Sequence, residues 1–456
     1  MELLRYFEQI CAIPHCSFET QKLGEYLFEF SKKCGFEAKM DKAGNIHAIK
    51  GKSKICLQAH YDMVCVGSAP EIKIINDGKF LRAQNSSLGA DNGIGIAIIM
   101  QMMSEKNDLE VLFTNNEEVG LIGANAFKGK IKASNLLNLD SECDNEVIIG
   151  CAGGIEINIK KRFALKKCKN GFVYELLCDG LPGGHSGIEI AKNIPNAIVE
   201  LMNFIKQSKA KLLFLKGGNK NNAIPANASA IVLSKNELAS TEFITLKKLA
   251  SLQNEIFKLI DLKNSKQNDT QSYENILKNL VKNGEIFGFK NSDKIVDFIL
   301  SLPHGVLAYD ENLAMPKTSI NLATITQKTH KNTASLQIAF YARSNEAKEL
   351  NRLGEKIKAH ANIAGFSCSF GEYSLPWQPQ NSDFANFVLK TLQKKRPNAK
   401  IKGIHAGLEC GIFQAKNPSL KVCSIGPNIF SPHSERESCE IESTKIILEV
   451  VREILG

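Results

Sequence analysis

The chain lacks any apolar run long enough to cross a membrane. Its longest, Ile94 to Met103, is interrupted by Gln101 and falls far short of the roughly 18 or more residues a span needs. It also lacks a C-x-x-C pair, although it has 13 cysteines. The first ten residues carry Glu2, Arg5 and Glu8, so the basic-then-apolar pattern of a secretory leader is missing. Clustered arginines with aromatic platforms, which grip and stack nucleic acid, are missing too. The excess of 57 Lys and Arg over 48 Asp and Glu, +9 in all, is mostly lysine and thinly spread, so neither a nucleic acid nor a membrane is an expected partner. With 43% hydrophobic and 23% charged residues, the composition excludes a disordered tail, a collagen-like fibre and a small disulfide-stapled scaffold. The expectation is a globular protein of two or three domains. Its cysteines read as small buried hydrophobes with free thiols, which fits a reducing cytoplasm.

The first third alternates between helix and strand signals. Ser17 is placed to cap a helix whose Leu23, Leu27 and Phe30 share a face and which ends at Gly35,. Strand-like runs follow at Asn45–Ile49, Ile55–Ala59, Leu109–Thr114 and Leu136–Leu139, with Ile94–Met103 as a buried helix,. After Gly153-Gly154 the character changes to long strand-like runs mixed with lysine-rich helices. Leu249, Leu252, Ile256 and Leu259 have helical spacing, and polar Lys263–Tyr273 reads as a loop. Segments Asn222–Leu233 and Thr318–Arg343 echo each other weakly, as in a duplicated unit. Beyond Trp377 the α/β flavour returns, with helices expected at Asp383–Lys394 and Ser443–Leu455. The expected organisation is an α/β domain formed by residues 1–153 and 377–456, interrupted by an insertion at 154–376.

Three strand ends finish in metal-ligand residue types: A-H-Y-D gives His60 and Asp62, T-N-N-E-E gives Glu117 and Glu118, and L-N-L-D gives Asp140. A Gly-flanked loop, G-A-D-N-G, offers Asp91, and S-P-H-S near the C-terminus offers His433. In open α/β sheets ligands bind outside the carboxyl ends of strands, so residues 60, 117, 118 and 140 should converge at one edge. Two histidines among several carboxylates suit zinc, manganese or cobalt better than magnesium or calcium, which prefer oxygen alone. The set exceeds what one tetrahedral site uses, and a pair of ions sharing a carboxylate uses it better. Taken singly, each residue has a plainer reading: a satisfied core histidine, a turn aspartate, a helix start, a cap, a surface loop. Five such coincidences at strand ends are what the plain reading would require.

The motifs H-Y-D-M-V (60–64), G-A-D-N-G (89–93), N-E-E-V-G (116–120), L-D-S-E (139–142) and G-G-H-S-G (183–187) resemble the two-zinc exopeptidases that include carboxypeptidase G and carnosinase. C-A-G-G (151–154), N-A-I-P (222–225), H-A-G-L-E-C-G (405–411) and S-P-H-S (431–434) resemble the bacterial aminoacyl-histidine dipeptidase branch in particular. The resemblance implies a mixed-sheet α/β catalytic domain with helices on both faces, interrupted by an α+β lid that could be internally duplicated. It implies two divalent metal ions, zinc first, with manganese or cobalt as substitutes. His60 and Asp140 would hold one, Glu118 and His433 the other, and Asp91 would bridge them, with a cis peptide at Asp91-Asn92. Asp62 would accept the other ring N–H of His60, and Glu117 would be the general base. From the lid, His185 would face the scissile carbonyl, and Asn222 and Arg343 would hold the far carboxylate or nearby polar atoms of substrate. His405 and Glu409 would line the pocket. The expected activity is hydrolysis of Xaa-His dipeptides, β-alanyl-histidine included, with other dipeptides as further candidates; a homodimer through the lid is one assembly the sequence leaves open. The alternatives are a deacylase or desuccinylase of N-acyl amino acids in the same family, or a non-catalytic binding protein on the same fold.

Overall fold

The structure is a computed structural model describing residues 2–253, 256–259, 281–282, 285–311, 313, 315–330 and 332–456. It divides into two compact units: residues 2–152 with Leu375–Gly456, and Gly153–Glu311 with Met315–Ser374. No helix among the described residues is long and apolar enough to cross a membrane.

The first unit is built on an eight-stranded mixed sheet, in the spatial order Glu37–Met40, Ile46–Lys50, Leu109–Thr114, Ile55–His60, Asn135–Asn138, Lys421–Ser424, Glu146–Cys151, Lys400–Ile404. The central strands run parallel: Ile55–His60 pairs with Leu109–Thr114 on one side and with Asn135–Asn138 on the other. Side chains alternate between faces, as strand geometry demands. Leu57, Ala59, Val111, Phe113, Leu137 and Cys423 enter one core, which includes Phe7, Ile98, Val388 and Ile447 from four helices. Cys56, Leu112, Leu136 and Val422 enter another, with Ala124, Phe127, Cys410 and Phe413 from the opposite side. Helices therefore cover both faces. The helix Ala90–Glu105 is apolar almost all round, and every residue from Ile94 to Met103 is buried, as expected for a helix sunk in a core rather than lying on a surface. Full burial of a Leu, Ile or Phe side chain contributes about 1.5–3 kcal/mol.

The second unit carries a sheet dominated by the hairpin Met315–His330 and Thr333–Ser344, which continues through Gly153–Lys167 to Ser367–Ser374. On the far side come Lys211–Gly217, Ala228–Ser234 and Gly171–Cys178. The helices Ala197–Ser208, Ser292–Ser301 and Ala347–Ile363 contribute Ile198, Leu201, Ile295, Ile299, Leu350 and Ile357 to its core.

Three local expectations are corrected. The run containing Leu249, Leu252, Ile256 and Leu259 is not a helix. Ile244–Gln253 and Ile256–Leu259 are paired antiparallel strands, and the first also pairs along Gly171–Cys178. Ladder pairing on both sides of a strand overrides a four-residue coincidence of spacing. The first helix of that region starts at Gln21 after Thr20, not at Ser17, because the Ser17 hydroxyl is taken by Asp62 at 2.8 Å. Cys16 and Cys65 are not free thiols but form a disulfide. Main-chain bonds from Met63 to His15 and from Ser17 to Met63, 3.1 Å each, draw the two segments together. The expected loop at Lys263–Tyr273 lies outside the described residues.

Candidate active site

The three adjacent parallel strands end side by side, and each delivers part of the site. Ile55–His60 ends on His60 itself. Leu109–Thr114 leads through Asn116, in the left-handed region at φ 55°, to Glu117 and Glu118. Asn135–Asn138 leads to Asp140. Asp91 enters from the first turn of the helix Ala90–Glu105, and the Asp91-Asn92 peptide is cis. Gly89, just before it, has φ +71°, and a Cβ there would stand 2.9 Å from Met63 Sδ. His433 comes from the turn between the short strands Ile429–Phe430 and Ser438–Glu440 of a separate four-stranded sheet, at φ 59°.

These side chains form two candidate ligand groups that share one carboxylate. His60 Nε2 lies 3.1 Å from Asp91 Oδ1 and 3.3 Å from Asp140 Oδ1. His433 Nε2 lies 3.1 Å from Asp91 Oδ2 and 2.9 Å from Glu118 Oε1. The two oxygens of Asp91 thus face two different rings. His60, Glu117 and Glu118 make a third group whose ligand atoms lie within 4.8 Å of one another.

Asp62 differs from its expected role. The nearest acceptor to His60 Nδ1 is the Asp62 carbonyl oxygen at 3.0 Å, with the carboxylate at 3.5 Å. The carboxylate instead accepts the Glu117 N–H at 2.8 Å, the Glu118 N–H at 3.3 Å and the Ser17 hydroxyl. It anchors the backbone that carries both glutamates as well as lying behind the ring.

Glu409 also differs from a group lining a pocket. It is wholly buried, and its Oε2 accepts from Gln58 Nε2 and Thr114 Oγ1, both at 2.6 Å. Gln58 Oε1 in turn accepts from Asn138 Nδ2 at 2.7 Å. One polar chain thereby ties the three strands together immediately before their functional ends. Sequence reading missed Gln58, Thr114 and Asn138. Polar residues inside otherwise apolar strands were the available signal, since buried polar groups are hydrogen-bonded. His405 is buried in the same unit. In the second unit, Gly184–His185 pairs with Ala223–Ile224, and the Ser186 N–H donates to the Asn222 carbonyl at 2.8 Å, so His185 and Asn222 are neighbours. Arg343, on Thr333–Ser344, is buried with its guanidinium over the Tyr341 ring.

The electrostatics are those of too many acids in too little water. Burial, then repulsion from Asp91, pushes Glu118 up to about 7, and burial pushes Asp140 up to about 6. Glu117 is driven well above the ordinary range by burial, with Glu118, Asp140 and Glu409 adding to it. Glu142, unassigned from sequence, is raised to about 8 by burial and then by Asp91. Burial would raise Asp91 as well, but the hydrogen bonds from His433 and His60 hold it far down. Cations relieve such crowding, and the mixed nitrogen and oxygen donors match zinc, manganese or cobalt. The site therefore fits a pair of divalent ions. Adding zinc to metal-free protein is expected to raise its melting temperature by several degrees, since one site filled at 100 times its Kd contributes about 2.7 kcal/mol. A chelator should reverse the shift. A differential scanning fluorimetry trace indifferent to both would count against the site.

The chain is similar to known peptidases. The model of the peptidase family M20/M25/M40 matches residues 56–456. The chain is 31% identical over 482 aligned residues to the cytosol non-specific dipeptidase of Escherichia coli strain K12, covering 98% of this chain and 96% of that one. It is similar to the solved aminoacylhistidine dipeptidase of Vibrio alginolyticus, with a TM-score of 0.72 and 26% identity over 100% of this chain and 96% of the other. A tripeptidase of Staphylococcus aureus, at 15% identity and a TM-score of 0.61 over 100% and 97% of the chains, shares the fold. The chain belongs to peptidase family M20/M25/M40, and it is a metallopeptidase.

Proposed function

We propose that the protein is a metal-dependent dipeptidase that cleaves Xaa-His substrates, β-alanyl-histidine among them, and further dipeptides. The observation that carries this reading is the pair of ligand groups sharing Asp91 with the Glu117 carboxyl alongside. The similarity to dipeptidases of Escherichia coli and Vibrio alginolyticus supports it. A cytoplasmic location belongs to the same proposal and draws its support from the Escherichia coli relative.

His60 and Asp140 would hold one ion, Glu118 and His433 the other, and Asp91 would serve both. When bound, the two ions, zinc in this reading, supply Lewis acidity toward the peptide carbonyl and lower the pKa of a water. Glu117 takes the proton of the attacking water and passes it to the leaving amine. The bond from its N–H to Asp62 fixes the backbone from which that carboxyl extends,. His185 acts as an electrophile toward the developing oxyanion. Arg343 and Asn222 bind the substrate carboxylate, for which a guanidinium offers a bidentate fork.

The test is a panel of carnosine, Gly-His, Ala-Ala and N-acetyl amino acids, assayed with zinc, manganese and cobalt. The dipeptides are expected to be hydrolysed and the N-acetyl amino acids left intact. Faster release from the N-acetyl compounds would replace the dipeptidase reading with a deacylase. Hydrolysis of Ala-Ala without carnosine or Gly-His would remove the histidine preference.

A further inference from the structure

Four consecutive main-chain N–H groups lie just ahead of and within the segment carrying Asp91: those of Leu88, Gly89, Ala90 and Asp91. At the start of a helix such donors have no intrahelical acceptor, and buried ones need a partner from elsewhere. Here all four point at one carboxylate far away in sequence. Glu437 Oε2 accepts from Leu88 at 2.8 Å and Gly89 at 3.0 Å. Glu437 Oε1 accepts from Ala90 at 2.8 Å and Asp91 at 3.3 Å. The Glu437 side chain is almost completely buried.

Its own main chain is equally tied. The Glu437 N–H donates to the Ser434 carbonyl at 3.1 Å. The Ser434 hydroxyl donates to the Ser431 carbonyl at 2.7 Å, and the Arg436 N–H to that hydroxyl at 3.2 Å. Residues 431–437 therefore form one compact turn with His433 inside it. A single carboxylate joins this turn to the Asp91 loop, and the two elements meet again where His433 Nε2 stands 3.1 Å from Asp91 Oδ2.

We propose that Glu437 is a positioning residue that sets the register between Asp91 and His433, so that both oxygens of Asp91 can serve two ions at once. Both of its oxygens are taken by main-chain N–H groups, so it acts through the backbone of one ligand and the turn of the other. The inference rests on the dimetal reading above.

Glu437→Gln keeps the side-chain size, but an amide nitrogen cannot accept, so two of the four N–H groups lose their partner. Removing the support behind a metal ligand typically weakens metal affinity about 10–100-fold. The expected result, read by equilibrium dialysis with zinc, is one ion bound as tightly as in the wild type and the second weakened by that factor. Activity should return as zinc is raised. Glu437→Asp keeps the charge and both oxygens but shortens the reach, and should fall between wild type and Glu437→Gln. It also serves if Glu437→Gln does not fold, which circular dichroism would show. Two ions bound with wild-type constants in the folded variants would overturn the proposal, even if their melting temperatures fell, because Glu437 would then be a structural cap only. Wild-type protein that takes up two zinc ions and cleaves carnosine or Gly-His separates that failure from failure of the dipeptidase reading.

Discussion

Glu117→Gln should still bind two ions and yet turn over dipeptide about 10²–10⁴-fold more slowly, the range expected when a positioned proton carrier is removed. The Glu117 carboxyl is not among the atoms hinged on Asp91, and its backbone is pinned by the Asp62 carboxylate, so the ligand groups should survive the change. The substitution is isosteric and leaves little cavity. The loss should fall on kcat with KM nearly unchanged, because proton transfer matters in the transition state and not in binding. Turnover near the wild-type rate would remove Glu117 from the mechanism. Loss of an ion in parallel would make it a ligand instead.

The second large effect is expected at Asp91. Its two oxygens face His60 and His433 separately, so Asp91→Ala takes one donor from each ligand group at once. Metal content should fall below two equivalents per chain, and dipeptide hydrolysis should fall with it. Lewis-acid stabilisation of several kcal/mol is at stake, and at about 1.36 kcal/mol per tenfold in rate this amounts to roughly a thousandfold or more. The melting-temperature rise with zinc should shrink too, an outcome independent of any assay of activity. A variant retaining two ions at full affinity would refute the bridging assignment.

Much of this was legible before any coordinates because parallel strands put chemistry at their ends. The runs ending at His60, Thr114 and Leu139 are apolar and then abruptly polar, and the register of three neighbouring strands turns that pattern into convergence. The Ile94–Met103 helix was legible for a different reason, since a stretch apolar at every position but Gln101 has only an interior to occupy. His433 was legible only as a residue type, and its pairing with Glu118 came through the motif resemblance, because a histidine in a turn of a small separate sheet carries no periodic signal. The linkage of Asn138, Gln58, Thr114 and Glu409 into one chain, and the role of the Glu437 carboxylate, could not be read from the sequence, since they lie in pairings across dozens to hundreds of residues. Cys16 and Cys65 were read as solitary for the same reason: only the looping together of residues 15–17 with Met63 makes them neighbours. At 244–259 the apolar spacing matched a helix while strand pairing decided the outcome.

The placement of Lys421–Ser424 has a consequence for biosynthesis. This strand lies in the sheet between Asn135–Asn138 and Glu146–Cys151, which are made nearly three hundred residues earlier. A nascent chain stalled before it exposes an open slot in the middle of its central sheet and lacks His433 altogether. A centre that takes His433 as a ligand is therefore incomplete until translation has passed that residue.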